Sequence, residues 1–184
     1  MAIMKASNKK RVYIAVYPSQ VEKDDEKLFH WAILVGPKIE SEEDIKGRRY
    51  AIVPVTTDDP AKPSGWKYDE GNVPDIKTGS SLLARILIAK IEDEGRFHQI
   101  VRETPVITDP KVWSCRLWIS DVLRRLDRDE NNAVGTSVLS WPRIEPLVQK
   151  YVATKAENGT YSRPGYAELP APTWSMLRNR EIWP

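Results

Sequence analysis

The chain has 184 residues, and its 28 lysines and arginines against 26 aspartates and glutamates leave a formal charge of +2 at pH 7. That length suits a single domain with a substantial core, and so balanced a charge offers no broad phosphate-binding face, so nucleic acid is not an expected partner. One cysteine and two histidines exclude an internal disulfide and a Cys/His zinc set, and neither a metal nor another cofactor is expected.

Residues 1–10 read as a loose basic leader without the apolar core of a secretory signal. No run approaches the ~18 apolar residues of a membrane span, so a cytoplasmic protein is expected, with its oligomeric state open. Residues 11–17 are β-branched and aromatic and predict a strand stopped by Pro18. After a charged loop at 22–27, residues 29–35 predict a second strand, and their continuous apolarity predicts burial on both faces. Residues 50–55 predict a third strand. The stretch 56–80 is rich in proline and glycine and predicts a long irregular connection, a candidate lid, with one short strand at 66–69. Alternating isoleucines favour a strand over 82–91.

A short helix is predicted over 93–103, ending before Pro105. A second runs over about 112–127, where Val112, Cys115, Trp118, Ile119, Val122, Leu123 and Leu126 follow helical spacing. A third spans 141–157 and stops at Asn158-Gly159, a C-cap signal. The proline-bearing remainder predicts an extended tail that packs Trp174 and Trp183 on the body. These elements predict one α+β domain over 11–184, an antiparallel sheet packed on the cysteine-bearing helix.

Cys115 opens its helix, and His30 lies on an apolar strand. A thiol attacks as thiolate, and two devices lower its pKa from ~8.5: a helix N-terminus and a neighbouring imidazole. Ser114 as N-cap would supply the first and His30 the second. The alternative is that both residues are plain core, since free cysteine is among the most buried residue types. The seven tryptophans divide the same way. Large rings dominate cores, yet Trp31, Trp66, Trp113 and Trp118 are candidates to line a pocket for an apolar substrate. His98 reads as a surface or half-buried helical residue without an evident partner.

Residues 11–17, 29–38 (FHWAILVGPK), 47–52, 65–70 (GWKYDE), 82–93 (LLARILIAKIED), 113–126, 135–141 (GTSVLSW) and 172–184 together resemble a family of small uncharacterised proteins from filamentous fungi, which implies no activity. His30–Ile33 and Cys115 also resemble permuted papain-like thiol enzymes of the lecithin:retinol acyltransferase and NlpC type. That resemblance implies His30 as general base and Cys115 as nucleophile. Two positions depart from these patterns: Ala51 stands where relatives carry histidine, and Ser114 where they carry asparagine. A triad without its orienting group loses activity steeply. The function expected from these residues is a thiol-dependent hydrolase or acyltransferase acting on a small apolar acyl or amide substrate, in fungal specialised metabolism. A non-covalent, cyclase-like tailoring catalyst and a non-catalytic binding protein are the alternatives.

Overall fold

The structure is a computed structural model that describes residues 8–19, 29–41, 45–55, 58, 65–79, 81–109 and 113–184. Four strands, β1 (Arg11–Pro18), β2 (Phe29–Gly36), β3 (Gly47–Pro54) and β4 (Trp66–Val73), form an antiparallel run in the order β4-β3-β2-β1. On its other edge β1 pairs antiparallel with β5 (Ala84–Ile91). The free edge of β5 is then shared. β6 (Val134–Ser137) pairs antiparallel with Ala89–Ile91, and β7 (Thr173–Ser175) runs parallel to Arg85–Leu87 and carries β8 (Arg180–Trp183) outside it.

Two expectations are corrected here. The sheet is mixed, because the C-terminal segment returns along β5 in the same direction instead of trailing as an extended tail. That segment also holds two 3-10 turns, Thr160–Ser162 and Tyr166–Glu168, each entered through a glycine at φ of about +70°. The short strand expected at 66–69 runs on to Val73 as an edge strand, which its polar composition concealed.

Three helices complete the domain: α1 (Glu94–Glu103), α2 (Cys115–Asp127) and α3 (Trp141–Glu157). The side chain of Asp93 caps α1 by accepting from the Arg96 amide. Ser114 caps α2 by accepting from the Leu117 amide at 3.3 Å, as expected from the sequence. Helix α2 begins at Cys115, and Val112, counted at its start from spacing, lies outside the described residues. Gly159 at φ 70° follows the Asn158 C-cap of α3, the left-handed step that glycine takes without a Cβ penalty.

All three helices pack on one face. Cys115, Trp118, Ile119, Val122, Leu123 and Leu126 of α2 join Phe97 of α1 and Ile144, Val148 and Val152 of α3 against Ile14, Ile33, Ile52, Ile86 and Ile88 of the sheet. The opposite face carries a smaller core of Tyr13, Ala15, Leu34 and Leu87. It is covered by irregular segments that bring Ile45, Ile76, Leu82 and Ala171. Burial of β2 on both faces follows from this two-sided cover. The loop at 22–27 and most of the connection at 56–64 lie outside the described residues. Of the leader, Lys9 and Lys10 bond Glu92 and Glu94, and the Lys10 carbonyl accepts from the Ile91 amide, so the domain already includes them. No helix among the described residues is long and apolar enough to cross a membrane.

Candidate functional site

Side chains alternate along a strand, so adjacent residues serve opposite faces. On β2, Phe29, Trp31, Ile33 and Val35 point to the helices, in the cluster that contains Cys115. His30 therefore points to the other face. It sits opposite Tyr17 in the β1–β2 register, with ring centroids 6.3 Å apart, and Tyr17 belongs to the second core. Arg49 and Asp69 supply the charges around it. The sheet itself thus stands between the imidazole and the thiol. The expected His30–Cys115 pair across a sheet–helix interface is not assembled, because strand parity, invisible to a strand-then-helix motif, decides the face.

Each group carries the imprint of its own surroundings. Burial pushes the Cys115 thiol up, against hydrogen bonding from the backbone of Trp31, Arg116 and Cys115 itself. Cys115 is 6% exposed at the helix start. In native protein near pH 7, Cys115 is expected to react with iodoacetamide more slowly than a free thiol, at a rate that His30→Ala leaves unchanged. A slower rate in that variant would restore the imidazole as its activating base.

Burial pulls His30 down to about 4, with Arg49 adding to the effect and Asp69 opposing it. A histidine lowered in the folded state takes protons preferentially in the unfolded chain. Its contribution to stability is complete above the unfolded value near 6.5 and is lost as pH falls through the folded value. The full span corresponds to about 3 kcal/mol. A His30→Gln variant is expected to lose less stability than the parent between pH 6.5 and 4 in urea titrations. Parallel losses would show that His30 is not neutral by burial.

The tryptophans named as pocket residues are packing. Trp31 and Trp118 are 3% and 0% exposed, and Trp31 meets Trp141 edge-on at 5.3 Å. Trp66 and Trp113 are half-buried and joined, the Trp66 indole donating to the Trp113 carbonyl at 3.0 Å. Ala51 shares the His30 face, fully buried and paired in register with Asp69, on the side of the sheet away from the Cys115 cluster.

A cavity opens elsewhere, at the end of the sheet where β2 leaves, β3 enters and β4 leaves. It has a volume of about 750 Å³, within the range of small-molecule sites. Its lining includes Lys10, Lys46, Arg48, Glu94 and His98 beside the apolar Val35, Pro37, Val73 and Pro74. Among the described lining residues three cations thus face one carboxylate. Lys10 binds Glu94 at 2.5 Å, and His98 Nε2 lies 3.6 Å from the same carboxylate, one helical turn away. Arg48 lies 3.5 Å from Asn72 and 3.6 Å from Glu70, and its guanidinium also interacts with the Tyr50 hydroxyl. The Glu70 carboxylate is claimed instead by a bidentate Arg102 at 2.7 and 2.8 Å and by the Tyr68 hydroxyl, and Arg102 foremost holds it down to about 2. Burial lowers His98, seconded by Arg102, Arg48 and Lys10 and opposed by Glu94, so the ring is neutral near pH 7.

His98 is the site residue that sequence reasoning left without a partner. The signal was present: Glu94 and His98 are four residues apart on a predicted helix and so share a face. Lys46 and Arg48 carried no comparable signal, because only the sheet register brings them beside α1.

These features define an α+β domain with helices on one sheet face and a basic groove at a sheet end. The chain belongs to a family of unknown function (DUF6914), whose model matches residues 9–183. No curated protein and no solved structure matches it.

Proposed function

We propose that this protein is a binding domain that takes a small organic or inorganic anion in the groove between the β2–β3–β4 end and α1. The observation that carries this reading is the convergence of Lys10, Lys46 and Arg48 on one cavity in which Glu94 is the single carboxylate among the described lining residues. A cleft lined by one sign of charge concentrates ligands of the other sign. Thiol chemistry draws less support: its expected base faces the other side of the sheet, and its sulfur is buried with a raised pKa.

Calorimetric titration of acetate and inorganic phosphate into the protein tests the reading. Arg48→Gln and Lys46→Gln are each expected to weaken binding several-fold, and added salt is expected to weaken it further, as for exposed charges. Affinities indifferent to both substitutions would remove the groove as the binding site.

A further inference from the structure

We infer that the groove is built for an organic monocarboxylate with a compact apolar body, an inference that rests on the anion-binding reading above. One wall is apolar. Val35, Gly36 and Pro37 come from the end of β2, and Val73 and Pro74 from the end of β4. Proline carries no backbone N–H, so Pro37 and Pro74 present carbon surface where a donor would otherwise stand. A hydrated inorganic ion gains nothing from such a wall, whereas each methylene buried there favours binding about fourfold.

The rear of the groove is fixed by close packing. A Cβ at Gly36 would lie 2.1 Å from Ile76 Cδ1, and one at Gly47 would lie 2.3 Å from Ile76 Cγ2 and 2.4 Å from the Val35 carbonyl oxygen. The two strand ends therefore close on Ile76 only because both residues lack side chains, and the wall is formed before any ligand arrives.

The charges set the valence. Lys10 is offset by Glu94 at 2.5 Å, which leaves Lys46 and Arg48 to face a ligand. A carboxylate that meets both of these cations leaves no further cation among the described lining residues for a second anionic group. The Arg48 guanidinium, 3.5 Å from Asn72 and 3.6 Å from Glu70, is a planar fork that matches a carboxylate with two parallel hydrogen bonds. The carboxylate meets Arg48 and Lys46, and the body lies along Pro37 and Pro74.

Benzoate, acetate, inorganic phosphate and uncharged benzamide, each titrated by calorimetry into the full chain, separate these elements. Benzoate is expected to bind at least tenfold tighter than acetate, phosphate no tighter than acetate, and benzamide at least tenfold more weakly than benzoate. Pro74→Asn, a substitution at an exposed position just after β4, is expected to weaken benzoate about fivefold and acetate less. Arg48→Gln is expected to weaken both. Equal affinities for benzoate and acetate would overturn the apolar-body inference while leaving an Arg48-dependent anion site intact. Tightest binding by phosphate would overturn it in the same way. No binding by any anion, or benzamide equal to benzoate, would overturn the anion reading itself.

Discussion

Glu40→Ala is expected to destabilise the fold by about 3–5 kcal/mol, the cost of leaving a buried charge unpaired. Arg85 is fully buried in the centre of β5, and its guanidinium donates to both carboxylate oxygens of Glu40 at 3.0 Å. Its Nε donates to the Thr173 hydroxyl at 3.1 Å, and the cation lies 4.8 Å from the centroid of the Tyr13 ring. The Tyr13 hydroxyl donates to the same carboxylate at 2.7 Å, and burial, with Glu40 adding to it, drives that phenol far above its usual range. One carboxylate thus satisfies an arginine and a tyrosine while tying the segment after β2 to β1, β5 and β7. In a domain of this size the loss corresponds to a melting temperature lower by roughly 6–20 °C. The double variant Glu40→Leu/Arg85→Met removes the charge with its partner and is expected to recover most of the loss. A Glu40→Ala protein that melts with the parent would show that water reaches Arg85.

Trp118→Ala is expected to cost a similar 3–5 kcal/mol, for a different reason. Trp118 is the largest fully buried side chain, at 0% exposure, and is the point where α2 meets the sheet, with the Tyr68 ring 6.0 Å away. Truncation leaves a cavity within the helix-side core that Trp118 shares with the sheet, whose backbone hydrogen bonding keeps it from collapsing. The indole N–H has no hydrogen-bond partner among the described residues, so burial of this donor already opposes stability. Trp118→Phe removes the unsatisfied donor together with part of the ring volume and is expected to cost much less than alanine. Denaturant unfolding of the two variants reads the difference. Equal losses would mean that the donor finds a partner in solution.

Much of the fold was legible because it follows periodicity. The spacing of Cys115, Trp118, Ile119, Val122, Leu123 and Leu126 identified the buried stripe of α2, and Ser114 its cap. The unbroken apolarity of 29–35 identified a strand covered on both sides. What escaped depends on pairing over long distances. The β7–β8 return has three- and four-residue strands, too short for a pattern, and it gains its place by the parallel register on Arg85–Leu87. Arg85 itself was a signal passed over, since an arginine inside LLARILIAK requires a buried counter-charge. The site was legible in its residue types and not in its geometry. A motif of strand histidine and helix cysteine carries no parity, and parity sends His30 to one face and Cys115 to the other. The groove joins three strand ends and one helix that no local window spans.

The most direct test of the groove is a nuclear magnetic resonance titration of isotopically labelled protein with benzoate, following backbone amides. Binding at the sheet end predicts saturable shifts concentrated at Val35, Gly36, Gly47, Arg48, Asn72, Val73 and His98, the residues that line the cavity, and loss of these shifts in Arg48→Gln. Shifts centred instead on Trp113, Cys115 and Trp31, or no saturable shifts at all, would contradict an anion site in this groove.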